Sequence, residues 1–189
     1  QSGKALASGY VTESHVHIHL EQTLSSDACE KLAQALSHTL QDVRSATGDW
    51  RKMLARIDEI LAAPDVYGKG HNATDVKEAE EFLNYIKGNN FTFLGYREYR
   101  FTSRKEGASL AVVQGSDLGV LKNGHKLGFG EDISGAKMAL LAEARWPVMV
   151  SKLIEQYAAV HRRVPLDAVG IKILGKDGSL QGMHLFVGR

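Results

Sequence analysis

"AVGIKILGKDGSLQGMHLFVG", residues 168–188, decides the fold. Two β-rich runs flank a Gly-Lys-Asp-Gly turn at 175–178, the signature of an antiparallel hairpin. A chain that ends in such a hairpin calls for an antiparallel sheet, so the preceding segments are read for further strands. "PVMVSKLI" is one, with Pro147 at its start, where a missing N–H is tolerated. "SLAVVQG" (109–115) is another, joined by the loop "SRKEGA" to the aromatic run "FTFLGYREYRF" (91–101). In that run neither parity is cleanly apolar, and a bulge at Gly95 is expected to switch faces. "DLGVLK" reads as a short strand or turn, "NGHKLGFGEDISG" (123–135) as an exposed glycine-rich loop, and "AKMALLAEA" as a short helix. The sum is α+β: an antiparallel sheet of about five strands with flanking helices, not repeated βαβ units.

Further upstream the hydrophobic period changes from two to three or four. "TDVKEAEEFLNYIKG" predicts a helix capped by Asn72 or Thr74, with Val76, Ala79, Phe82, Leu83 and Ile86 inward and Gly88 as its stop. "PDVYGKGHN" (64–72) reads as a linker. Before it, Cys29, Leu32, Leu36, Leu40, Val43, Thr47, Trp50, Leu54, Ile57 and Leu61 recur in steps of three or four. Ser25 or Ser26 supplies a cap. The pattern predicts one long helix, or two nearly collinear ones, over about 26–62, with Gly48 the expected kink. At 1.5 Å per residue it is roughly 50 Å long, so its stripe overhangs a small domain and calls for a partner. The N-terminal segment, to about Glu21, alternates histidine with apolar residues in "HVHIHL" and reads as an isolated strand.

Composition excludes several function classes. Hydrophobic residues make up 43% of the 189, enough for a real core. Charges balance, 23 basic against 22 acidic, with no basic run of the kind that nucleic acid requires. No apolar run approaches the roughly 20 residues of a membrane span. The single cysteine, Cys29, rules out an intramolecular disulfide and points to a cytoplasmic location. Its place on the apolar stripe reads as a small packed hydrophobe rather than a nucleophile. The chain is expected to be a piece of a longer polypeptide.

His15, His17 and His19 share one strand face, and a His-x-His pair can present two imidazoles to one ion. No third ligand stands at metal spacing, so the solvated strand face is the favoured reading and no metal is expected. "GVLKNGHK" (119–126) has P-loop spacing, but His125 stands where the phosphate-binding lysine belongs. "GFGEDISG" puts Ile133 where a dinucleotide turn requires glycine. Glu98, Asp117, Glu131 and Asp132 are scattered, with no acid/base pair. The residues predict no catalytic and no cofactor-binding side chain, and leave any ligand-binding set unknown.

Several stretches, in order, resemble one family. "DVKEAEEFLNYIKGNNFTFLGYREYRF", "GSDLGVL" and "VHRRVPLDAVGIKILGKDGSLQGMHLFVG" are similar to the N-terminal regulatory region of the large bacterial NAD-specific glutamate dehydrogenases. "ESHVHIHLEQ" and "LQDVRSATGDWRKM" fit upstream of them. Ala168 departs from the aromatic residue that the family pattern places after "LD". The resemblance implies that residues 1–22 end with the terminal strand of a truncated ACT-type domain. It implies that 23–71 are a long connecting helix and linker, and that 72–189 are a PAS-type domain. It also implies a non-catalytic regulatory and assembly fragment of a parent enzyme that converts glutamate, NAD and water to 2-oxoglutarate, ammonium and NADH. NAD then belongs to the parent alone. The expected partners are the remaining domains of the same polypeptide and further copies, held through the long helix or by strand exchange. Neither nucleic acid nor membrane is expected. The alternative is a small-molecule, amino-acid sensor with its own pocket, for which Phe91, Phe93, Tyr96 and Tyr99 are the candidate lining. Plain core packing is the favoured reading of those four. A third reading, a histidine metal enzyme, lacks its third ligand.

Overall fold

The computed structural model describes residues 14–104, 107–123, 132–134, 136–157, 160 and 164–189. Helix α1 (Ser26–Leu61) runs for 36 residues without interruption through Gly48, so the expected kink is not a break. Ser25 caps it, its hydroxyl accepting from the Ala28 N–H at 3.3 Å. The buried face is Asp42, Ala46, Asp49, Met53, Ile57 and Ile60. Only part of the expected stripe lies there. Ile57 is inside and Val43, Leu54 and Leu61 flank it, whereas Leu32, Leu36, Leu40 and Trp50 are exposed. Cys29 is exposed too, which corrects its reading as a packed hydrophobe. The physical reason is twofold. Residues 30–38 are all exposed, and two aspartates take inward positions that apolar periodicity cannot mark.

The expected linker is instead partly helical. Pro64 starts a short helix α2 (Pro64–Gly68), and Tyr67 is driven into the core at 1% exposure. Proline suits this first turn because its missing N–H has no partner there in any case. Helix α3 (Ala73–Tyr85) follows, capped by Asn72, whose Oδ1 accepts the Asp75 N–H at 2.8 Å. Ala79, Leu83 and Ile86 are buried, with Val76 and Phe82 packed beside them, as the periodicity predicts. A π-type turn (Ile86–Asn90) with Asn89 at φ 68° redirects the chain into the sheet.

The strands are β1 (Phe93–Arg104), β2 (Gly107–Val112), β3 (Leu118–Gly119), β4 (Asp132–Ser134), β5 (Val148–Tyr157), β6 (Pro165–Leu174) and β7 (Leu180–Gly188). Their order is β4-β2-β1-β7-β6-β5, antiparallel throughout, with β3 beside β1. The first strand sits centrally, and the last returns to pair with it. A 3₁₀ turn (Val120–Asn123) follows β3, and α4 (Ala136–Glu143) precedes β5. The loop expected over 123–135 contains β4; residues 124–131 and 135 lie outside the described residues. The hairpin β6–β7 turns through Gly178 at φ 81°.

The bulge falls where the mixed parity requires it. Pairing of β1 with β7 shifts register between Phe93 and Gly95. Phe93 and Tyr96 therefore share the face covered by Met53, Ile57, Tyr67 and Leu83. Leu94 and Tyr99 share the opposite face with Leu110, Leu121 and Leu185. A sheet buried on both sides explains why the aromatic run carries no clean alternation.

Asp49 ties the helix to the sheet. Its carboxylate accepts the Gly119 N–H at 3.0 Å and holds Lys122 at 2.6 Å and Lys52 at 2.9 Å. Burial alone would raise this carboxyl; the Lys122 ammonium, the Gly119 N–H and Lys52 overcome it and hold the pKa at about 2. Gly119 has φ +62°, and a Cβ there would lie 2.1 Å from the Leu94 carbonyl oxygen, so only glycine fits.

Residues 14–20 join no ladder among the described residues. The segment expected as an isolated strand thus has no strand structure among the described residues, with Val16, Ile18 and Leu20 exposed by 78%, 66% and 50%. Residues 1–13 lie outside the described residues.

Candidate functional site

On the helix-covered side of the sheet, β1 and β7 place a polar cluster at the end of the aromatic core. Tyr96 pairs in register with Phe186, and Glu98 with His184. The Tyr96 ring lies 4.9 Å from Phe186 and stacks 6.0 Å from the His184 ring. Its hydroxyl is 2.8 Å from His184 Nδ1 and 3.4 Å from Glu98 Oε2. Glu98 in turn accepts from Arg100 Nε at 2.6 Å. From α1, the Arg56 guanidinium stands 5.9 Å over the Tyr96 ring and donates to Glu59 at 2.6 Å.

Burial sets the charge states. It pulls His184 down to about 4, against the opposing pull of Glu98. It pushes the Tyr96 phenol far above its usual range, with Glu98 adding to the effect. Both groups are neutral at neutral pH. The phenol has one proton to give. Hydroxyl-to-carboxylate bonds are normally 2.5–2.7 Å, so the 3.4 Å approach to Glu98 is the weaker claim. The proton therefore goes to His184 Nδ1, which leaves the other ring nitrogen of His184 carrying its own hydrogen.

Beside this cluster opens a cleft of about 160 Å³. Arg56, Glu59 and Ile60 form its α1 wall, and Val66 and Tyr67 its α2 wall. Lys172 of β6 and His184 of β7 form the floor. The Tyr67 hydroxyl is buried without a hydrogen-bond partner among the described residues. Lys172 is 2% exposed, and its ammonium donates to the carbonyls of Ala142 (3.4 Å) and Ala144 at the C-terminal end of α4. Burial lowers its pKa, while a helix C-terminus favours a cation. Counting Arg56, Lys172 and Glu59 with neutral His184, the cleft carries a net charge of +1. It offers several hydrogen-bond donors. A second hollow, about 140 Å³ between α3 and β5, is mainly apolar around Phe82, Trp146 and Val150.

The residues singled out in the sequence fall elsewhere. His15, His17 and His19 sit on the exposed segment 14–20, far in the chain from any described strand. Among the described residues no three His, Cys, Asp or Glu side chains form a group able to hold a metal ion. The four candidate pocket aromatics do not converge. Phe91 and Phe93 contact each other edge-on at 5.0 Å, Phe93 and Tyr96 belong to the helix-side core, and Tyr99 belongs to the opposite one. Of the scattered carboxylates, Glu98 joins the His184 cluster and Asp117 receives both arms of the buried Arg97, at 2.7 and 2.9 Å. Asp132 lies opposite Ala111 at the sheet edge. Glu131, His125 and Lys126 lie outside the described residues. Tyr67, Lys172 and His184 were not marked by the sequence pattern. The available signal was His184 alternating with apolar neighbours in "GMHLFVG", a polar residue on a strand buried on both faces.

No family model matches the chain. It is similar to parts of NAD-specific glutamate dehydrogenases. One, from Pseudomonas aeruginosa, is 25% identical over 177 residues, which is 93% of this chain and 11% of that protein. Another, from Halomonas elongata, is 32% identical over 114 residues, 58% of this chain and 7% of that protein. The chain thus spans 11% or less of the length of the curated relatives it matches. The similarity agrees with the family that the motif order suggests. Among the described residues no helix is long and apolar enough to cross a membrane.

Proposed function

We propose that the chain is a non-catalytic regulatory and assembly region of an NAD-dependent glutamate dehydrogenase. The parent polypeptide would oxidise glutamate with NAD and water to 2-oxoglutarate, ammonium and NADH in the cytoplasm. Residues 1–22 would complete an ACT-type domain, 23–71 connect, and 72–189 form a PAS-type domain. The central first strand paired with the last supports the PAS-type reading, by analogy of fold. The burial of Met53, Ile57 and Tyr67 against the sheet extends that unit back to the end of α1 and to α2.

One observation carries the assembly role. Leu32, Leu36 and Leu40 are exposed by 38%, 48% and 56% on a half-helix that no described element covers. The occupant is the rest of the same polypeptide, because relatives of this chain hold some nine-tenths of their length outside the matched part. Continuity of α1 with residues 14–24 supports a domain on the N-terminal side of α1 as that occupant.

Hydrogen exchange tests this. Amides 26–41 are expected to exchange at least about tenfold more slowly in the full polypeptide than in this chain alone, as an undocked helix face becomes covered. Equal rates in the two would refute the assembly role. NAD-dependent glutamate oxidation by the full polypeptide tests the parent activity separately.

A further inference from the structure

We propose that the cleft between α1, α2 and strands β6 and β7 is a binding site for a small carboxylate with a short apolar tail. This goes beyond the assembly role and stands without it. Four elements of the fold supply the site, so its geometry is built into the tertiary structure rather than borrowed from one flexible loop.

Three groups point to a carboxylate. The Tyr67 hydroxyl is buried at 1% residue exposure and has no partner among the described residues. A buried hydroxyl left unmade is costly, and a ligand oxygen relieves it. Arg56 lines the cleft with a guanidinium that gives only NH1 to Glu59, leaving further N–H donors. His184 keeps a hydrogen on the ring nitrogen turned away from Tyr96, a neutral donor suited to an anion. Charge agrees: Arg56 and Lys172 against Glu59 leave the cleft at +1. A cation would meet two positive groups and a single carboxylate already engaged.

The remaining lining fixes the rest of the ligand. Ile60, Ala63 and Val66 present apolar surface. A cavity of about 160 Å³ is close to one that accepts a benzene-sized molecule. Short-chain carboxylates of about five to seven heavy atoms fit that size.

The test is a heteronuclear NMR titration of the ¹⁵N-labelled chain with propionate. Propionamide and sodium chloride at matched concentration are the controls. Saturable shifts confined to Arg56, Ile60, Val66, Tyr67 and His184, with propionate and not with the controls, are expected. Arg56→Gln, at a side chain 45% exposed, should weaken binding about tenfold without unfolding the chain. Tyr67→Phe should weaken it about threefold, and Glu59→Gln, which frees the guanidinium, should tighten it about threefold. Tightening by Glu59→Gln is a result that a purely structural role for Arg56 would not give. Shifts that chloride reproduces, or binding unchanged in Arg56→Gln, would overturn the proposal.

Discussion

Replacing Asp49 by asparagine should destabilise the chain at neutral pH and lose that effect in acid. The side chain is 4% exposed, and its carboxylate is held at about 2 by Lys122, Gly119 and Lys52, against an ordinary value of 3.8. Its folded-state pKa is depressed, so the stabilisation is present above about pH 4 and is lost as pH falls through about 2. A difference of nearly two pKa units corresponds to about 2 kcal/mol. Asparagine keeps an oxygen for the Gly119 N–H and removes only the charge, so Asp49→Asn should cost about 2 kcal/mol at pH 7. Asp49→Ala should cost about 3 kcal/mol, because it also strands a buried N–H donor. Urea unfolding followed by circular dichroism, at steps from pH 7 to pH 2, measures both. The gap between the native chain and Asp49→Asn should close by about pH 2. A gap that persists there, or none at pH 7, would refute the electrostatic account of how α1 is fastened to the sheet.

Gly119→Ala should be more damaging than most surface changes. With φ +62° and the Leu94 oxygen 2.1 Å from the new Cβ, the loss in urea melts should exceed about 2 kcal/mol. His184 gives a second pH signature. Its pKa falls from 6.5 to about 4 on burial, so the unfolded chain takes up the extra proton first and stability drops between those values as pH is lowered. About 2–3 kcal/mol should be lost over that window, and His184→Gln should lose correspondingly less. An NMR titration that places the His184 midpoint above 6 would refute the burial argument.

The hairpin at the end of the chain was legible because turn chemistry and β-propensity coincide at Gly175, Asp177 and Gly178. The inward face of α3 was legible because Ala79, Leu83 and Ile86 obey one period. The bulge at Gly95 could be placed because parity failed there. The face of α1 was harder. Asp49 is held inward by Gly119 and Lys122, distant in sequence, Asp42 is buried beside His38 one turn away, and Leu36 and Leu40 look inward by period yet meet no described element. Helix α2 was hidden by its own composition, since Pro64, Gly68 and Gly70 read as loop while Tyr67 supplies the burial that fixes the turn. The cleft was illegible for a related reason. Arg56, Tyr67, Lys172 and His184 share no motif, and only the docking of α1 and α2 on β6 and β7 brings them together.

The uninterrupted α1 also has a mechanical consequence. At 1.5 Å per residue, Leu32 lies about 26 Å on one side of Asp49 and Ile60 about 16 Å on the other. The rod is held against the sheet over residues 46–60 and projects beyond it as a free arm. Whatever binds at Leu32 therefore acts about 21 Å beyond Ala46, the first buried apolar residue of α1. Gly48 lies two residues into the held part, and an added Cβ there meets nothing within 4 Å. Stiffness at that point can therefore be tuned by one methyl group without disturbing any neighbour.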